Sequence, residues 1–229
     1  RFAPLCVRAA WVPPHTHAAT CVFQVEPADA AVERALGLVL ARGHTATLPR
    51  GGAHRALRDV HALAALPRVQ SLSFGLMDFV SAHRGAIPQS AMGVPGQFTH
   101  PLVVRAKLEI ASACHAHGKV PSHCVVTELT DSEALRAAAT RAAQELGYTR
   151  MWSIHPNQII PIVEAMRPDF SEVEDASAIL LAAQDAGWGP IQHAGKLHDR
   201  ASYRYYWELL KRARSTGMKI PDEASRRYF

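Results

Sequence analysis

The chain has 229 residues, of which 48% are hydrophobic and 20% charged, and a formal net charge of +5. This is an ordinary globular composition with room for one sizeable core or two small ones, and no uninterrupted apolar run is long enough to span a bilayer. Disordered, collagen-like and membrane-spanning classes are thereby excluded.

The four cysteines, Cys6, Cys21, Cys114 and Cys124, are too few and too irregularly spaced for a disulfide scaffold, so a reducing, cytoplasmic setting is expected. Basic residues cluster only at Lys211, Arg212 and Arg214 and again at Arg226 and Arg227, with acids interspersed elsewhere. Such a surface serves anionic small molecules equally well, and neither a nucleic-acid nor a membrane partner is expected. Arg1 stands where Met is usual and the first lysine is Lys107, so a chain shortened at its start is expected.

Residues 1–16 show no period and contain Pro13-Pro14, so an irregular start is expected. The β-branched and apolar stretch 17–25 predicts a strand, and Ala31, Val32, Ala35, Leu36, Leu38 and Val39 then recur at helical spacing towards Gly43. Between 44 and 52 at most a stub of strand fits, around Thr45. Leu57, Val60, Leu63 and Ala64 share one face of a helix predicted over 53–66, and Pro67 stops it.

Val69 to Phe74 predicts a strand closed by Gly75, followed by a Gly- and Pro-containing loop over 78–97 whose length itself suggests function. A helix over 101–117 has Pro101 in its first turn and Gly118 past its end. Strands over 120–129 and 149–154 flank a helix over 132–146, and helices over 157–166, 171–186 and 200–215 complete the chain, with no strand expected in the last 60 or so residues.

Strand and helix alternate from residue 17 to 166, which predicts a parallel sheet with crossover helices. Each strand-plus-helix unit takes roughly 30–40 residues, so eight cannot fit. The expectation is therefore an α/β fold with about five strands, either a partial (β/α)8 barrel or an open sheet, in segments 1–16, 17–170 and 171–229, the last a helical C-terminal extension.

Ligands of parallel sheets bind at the carboxyl ends of the strands. Three such ends carry polar groups: Gly75 to Asp78, Thr127-Glu128, and Ser153 to Gln158. Asp78 follows a glycine that lets backbone approach a ligand, and its carboxylate suits Mg2+; a loop Asp bonding nearby amides is the alternative. His155 offers a donor or acid–base group, or simply a cap for the helix begun by Pro156. Cys114, His115, His117, His123 and Cys124 match no paired zinc-ligand spacing, and His115 and His117 sit where a helix C-terminus favours them. Tyr203, Tyr206, Trp207 and Leu210 fall on one helical face and read as packing.

Three motifs in order resemble the citrate lyase β-subunit-like branch of the HpcH/HpaI aldolase family: Ser73 to Phe79 (SFGLMDF), Trp152 to Ile159 (WSIHPNQI) and Gly195 to Asp199 (GKLHD). The resemblance runs from about residue 53 to 229. It implies a (β/α)8 barrel that binds Mg2+ and makes or breaks a C–C bond next to a carbonyl on a hydroxyacyl-CoA thioester of citryl, malyl or citramalyl type. Asp78 would be a metal ligand, Phe74, Gly75, His155, Pro156 and Gln158 would lie against substrate, and Asp199 would be the catalytic acid. The resemblance also implies a homo-oligomer, trimeric or hexameric, in which the C-terminal extension reaches a neighbouring subunit.

Relatives carry a further metal-ligand Glu before the position of Ala53 and an anion-binding Arg early in the barrel, whereas residues 47–52 here read TLPRGG, without an acid. One carboxylate rarely holds Mg2+ unaided, so a weak or inactive catalyst is expected of this chain alone. The alternatives are a hydroxy-acid aldolase without CoA and a non-catalytic acyl-CoA-binding or assembly subunit.

Overall fold

The computed structural model describes the backbone of residues 23–27, 39–41 and 45–47, and residues 56–67 and 69–229 in full. The expected irregular start at 1–16 lies outside the described residues, as does most of the first expected helix. The described chain divides into two compact units, residues 1–166 and 167–229.

The first unit is a mixed α/β structure in which helices dominate. Its strands are β1 (Phe23–Pro27), β2 (Val39–Ala41), β3 (Thr45–Thr47), β4 (Val69–Phe74), β5 (Val120–His123) and β6 (Arg150–Met151). They form a single sheet in the order β2-β3-β1-β4-β5-β6. The all-parallel expectation is corrected. Only β4, β5 and β6 run parallel, while β1 pairs antiparallel with both β3 and β4 and β2 antiparallel with β3. The pairing Ala41↔Thr45 explains part of this, because so short a connection cannot make the crossover that parallel neighbours need. Val39–Ala41 is accordingly strand where the helical spacing ran on towards Gly43.

Helices α1 (Val60–Ala64), α2 (Leu76–Ala82), α3 (Pro101–Ala116), α4 (Ser132–Gln144) and α5 (Ile159–Met166) complete this unit. Helix α3 lies between β4 and β5 and α4 between β5 and β6, supplying the crossovers that parallel neighbours need. Pro101 occupies the first turn of α3, where its missing N–H costs nothing. At the other end Gly118 adopts φ +63°, so that its N–H reaches the His115 carbonyl and the Lys119 N–H reaches Cys114 O at 2.7 Å. That double closure satisfies the terminal carbonyls and needs a left-handed residue, which Gly supplies without a Cβ clash.

Two apolar clusters hold the unit together. One packs α1, α2 and α3 on β4 through Val60, Leu72, Phe74, Phe79, Val103 and Ile110. The other packs α4 and α5 through Leu135, Ala138, Ala142, Tyr148, Ile162 and Met166. A side chain such as Ile110, fully removed from water, contributes about 1.5–3 kcal/mol relative to exposure.

The expected loop from Asp78 onward is corrected as well. Residues 76–82 are helical, and Phe79 donates its N–H to Gly75 O at 3.0 Å. Strands β5 and β6 are also shorter than their apolar runs.

The second unit contains α6 (Phe170–Asp185), the strands β7 (Ile191–His193) and β8 (Lys196–His198), α7 (Arg200–Ser215) and α8 (Asp222–Tyr228). The hairpin β7–β8 corrects the expectation of a strand-free C-terminus. Its turn residues Ala194 and Gly195 have φ +48° and +77°, the pair of positive angles that matches a two-residue connection to strand twist. Tyr203 and Leu210 are buried with Val173, Ile179 and Leu180, and Tyr206 and Trp207 pack partly against them, so the aromatic stripe of α7 is packing.

Candidate active site

Strands β4, β5 and β6 point their carboxyl ends to one edge of the sheet. The first and second motifs emerge there, on either side of β5. Phe74 ends β4 with its side chain buried, and its ring lies 5.5 Å from that of Phe79 on α2. Gly75 is the residue before α2, and Asp78 stands half-buried in the helix's first turn, where a carboxylate opposes the positive end of the peptide dipoles.

His155 precedes the 3-10 turn Pro156–Gln158 in an extended conformation, and its Nδ1 accepts the N–H of Asn157 at 3.2 Å. A ring whose Nδ1 accepts carries its neutral-form proton on Nε2, so His155 presents a donor at its far edge. Pro156 is exposed and occupies the first position of the turn.

Gln158 is 2% exposed. Its Nε2 donates to Val126 O at 2.9 Å, and its Oε1 accepts from Ile154 N at 3.0 Å and Ser153 Oγ at 3.5 Å. The side chain therefore ties the segment after β6 to the segment after β5. Thr127 and Glu128 lie in the latter, where the Thr127 hydroxyl donates to Glu128 Oε2 at 3.3 Å.

Asp199 belongs to the second unit. It is exposed and caps α7: Oδ1 accepts from Ala201 N at 2.9 Å, while the Asp199 N–H donates to Ser202 Oγ at 3.2 Å.

The motifs did not reveal a buried polar cluster beneath this edge. Lys107, on the apolar face of α3, has no solvent exposure; its Nζ donates to Gln97 Oε1 at 2.7 Å and to His123 Nε2 at 2.8 Å. It also stands 4.3 Å from the ring centre of Phe98. His123, stacked on Phe98 at 5.4 Å, uses its other nitrogen on Cys124 O, which fixes the Nδ1–H tautomer. The Cys124 thiol donates to the same Gln97 oxygen at 3.2 Å, and Tyr148 donates its hydroxyl to Lys107 O at 3.0 Å.

Burial drives the electrostatics of this cluster. It lowers the Lys107 ammonium from the ordinary lysine value of 10.5 to about 8. It also lowers His123 well below the usual histidine value, with the Lys107 charge adding to the effect, and raises the Cys124 thiol. Spacing alone held a signal, since Lys107 is four residues after Val103 and three before Ile110, on the buried stripe of α3.

The cysteine–histidine run does not converge. Cys114 and Cys124 are free buried thiols, and His115 Nε2 bonds Gly147 O at 2.7 Å. Among the described residues no group of three His, Cys, Asp or Glu is placed to hold a metal ion. Magnesium would thus find the carboxylate of Asp78 but no complete site among the described residues.

No family model matches the chain. Among curated proteins it is 30% identical over 165 residues to the L-malyl-CoA/β-methylmalyl-CoA lyase of Rhodobacter capsulatus, covering 66% of this chain and 50% of that protein. It is 26% identical over 215 residues to the enzyme of the same name from Cereibacter sphaeroides, covering 87% and 65%. The chain thus spans about half to two thirds of the length of these relatives.

A citrate lyase crystal structure from Burkholderia xenovorans superposes with a TM-score of 0.69 at 55% identity, over 87% of this chain and 61% of that one. The Mycobacterium tuberculosis protein CitE, solved with magnesium, acetoacetate and coenzyme A, has the same fold, with a TM-score of 0.57 at 23% identity over 70% and 58%. The chain is a homologue of lyases that act on CoA thioesters and hydroxy acids. These likenesses agree with the resemblance to the citrate lyase β-subunit-like branch of the HpcH/HpaI aldolase family that the three motifs carry.

Proposed function

We propose that this chain carries the later part of a carbon–carbon lyase that splits a hydroxyacyl-CoA thioester of malyl, citramalyl or citryl type into an acyl-CoA and a keto acid. One observation carries the reading. The motifs containing Phe74, Gly75 and Asp78 and containing His155, Pro156 and Gln158 leave the same edge of one parallel run, on strands β4 and β6 that flank β5. In this reading β4, β5 and β6 are consecutive strands of a (β/α)8 barrel, and the likeness to the Burkholderia xenovorans structure supports that.

Cleavage takes the proton from the substrate hydroxyl, breaks the adjacent C–C bond to give the keto acid, and leaves carbanion character on the thioester fragment, which must then be protonated. The Nε2–H of His155 is suited to donate to a substrate oxygen. Gln158 holds the loop that presents it. Asp199 is the candidate carboxylate for proton transfer in an assembled, cytoplasmic homo-oligomer. The cation implied by the resemblance is Mg2+, with Asp78 as its ligand, and CitE of Mycobacterium tuberculosis holds magnesium on this fold.

The reading is tested by supplying malyl-CoA, citramalyl-CoA and citryl-CoA with Mg2+ and trapping the released keto acid. Release from a CoA thioester but not from the free hydroxy acid supports it. Release from the free acid alone would instead make the chain an aldolase without CoA. Magnesium titrated calorimetrically without substrate is expected to show no micromolar binding, because a single carboxylate holds the ion weakly.

A further inference from the structure

On the parallel pair β4–β5, Ser71 is in register with Val120, and Ser73 is in register with Ser122. Residues two apart on a strand share a face, and registered partners on neighbouring parallel strands share it too, so these four side chains form two rungs on one face. The rung further from the strand ends is satisfied: Ser71 Oγ donates to Val120 O at 2.9 Å. The rung nearer the ends is not. Ser73 and Ser122 are 3% and 1% exposed, and neither hydroxyl has a hydrogen-bond partner.

An orphaned buried hydroxyl costs about 1–3 kcal/mol, so two side by side ask what satisfies them. Their position answers in part. Each is the penultimate residue of its strand, Ser73 directly before Phe74-Gly75 and Ser122 directly before His123, at the edge where parallel sheets bind ligands. Neighbouring strands lie ~4.8 Å apart, which lets two hydroxyls approach one small oxygen-rich group from either side.

We propose that Ser73 and Ser122 are a paired donor site for a carboxylate of the acid fragment. This inference rests on the lyase reading for its choice of ligand and deepens it. The hydroxyls would supply directional hydrogen bonds to a group whose charge is neutralised elsewhere, and the ligand would complete the bonds that the protein leaves open.

The test uses the full chain and Ser73→Ala, Ser122→Ala and the double variant, with pyruvate, glyoxylate and oxaloacetate as probes. Without ligand the Ala variants should melt at or above the wild-type temperature, because an unsatisfied hydroxyl has been removed. With ligand, affinity should fall about tenfold or more per hydroxyl, since bonds to a charged acceptor are the stronger class. Ser71→Ala, which breaks a made bond, should lower the melting temperature and leave affinity unchanged.

Lower melting temperatures for the Ser73 and Ser122 variants, with unchanged affinity, would overturn the proposal and mark the pair as water-filled. The two readings fail separately. Serine-dependent keto-acid binding with no CoA-thioester cleavage, even after a Glu-bearing strand is restored ahead of Ala53, would sink only the lyase reading, whereas normal keto-acid binding in the double variant would sink only the serine site.

Discussion

Lys107 Nζ lies 2.8 Å from His123 Nε2 in a cluster where neither side chain is exposed to solvent and none of their hydrogen-bond partners is a carboxylate. The ammonium is held by the Gln97 oxygen, the imidazole lone pair and the face of Phe98. Neutral partners compensate poorly for lost hydration, and burial consequently lowers Lys107 to about 8 and keeps His123 neutral.

That relationship predicts a pH dependence of stability. Between about pH 8 and 10.5 the unfolded chain holds a proton on Lys107 that the folded chain has released, so stability rises with pH in this window and the lysine's contribution is flat below it. The full rise is about 3 kcal/mol. Above about pH 9 the buried thiols oppose it, because Cys114 is raised to about 11 and Cys124 is also raised, and both ionise first when unfolded. Urea unfolding at pH 8 and 9 should show the rise in wild type and its loss in Lys107→Met.

Gln158 predicts a stability effect of a different origin. Gln158→Ala leaves Val126 O buried without its partner, at about 1–3 kcal/mol, removes the acceptor of the part-buried Ile154 N–H, and frees the segment carrying His155. Gln158→Glu keeps the acceptor for Ile154 N but places an oxygen against Val126 O when ionised. Thermal melts should rank wild type above Glu and Ala, and the destabilisation by Glu should lessen as pH falls and the carboxyl regains a proton.

The elements that sequence revealed were those with local punctuation. Pro101 and Gly118 delimit α3, and the run from Val69 to Phe74 is β4 to the residue. Long-range partners were hidden. Nothing near Lys107 says that Gln97 and His123 meet it, and nothing near Gln158 names Val126. Strand direction was hidden as well, because alternation of strand and helix reads the same whether β1 joins β4 parallel or antiparallel. The hairpin at Ala194-Gly195 escaped because alanine rarely takes the first of two left-handed positions.

That last feature gives a stabilising substitution. Ala194 at φ +48° adopts a conformation that a non-glycine residue enters at a cost, and Asn tolerates it better than Ala. Ala194→Asn should therefore stabilise the β7–β8 hairpin by about 0.5–1 kcal/mol, seen as a higher melting temperature of the full chain. An unchanged or lower value would mean that the turn geometry is not limiting.

Asp199 separates capping from chemistry. Its Oδ1 caps α7 through Ala201 N, and Asn is an equally good residue at that position, so Asp199→Asn should leave the melting temperature close to wild type while Asp199→Ala costs about 1 kcal/mol. Proton transfer does not tolerate the same exchange, because an amide has no proton to give or take near neutral pH. In a preparation that cleaves CoA thioesters, Asp199→Asn should lower turnover by a factor of about 10²–10⁴ with the fold intact. If Asn sustains turnover and only Ala lowers both stability and rate, Asp199 is a cap alone, and the proton must come from another group.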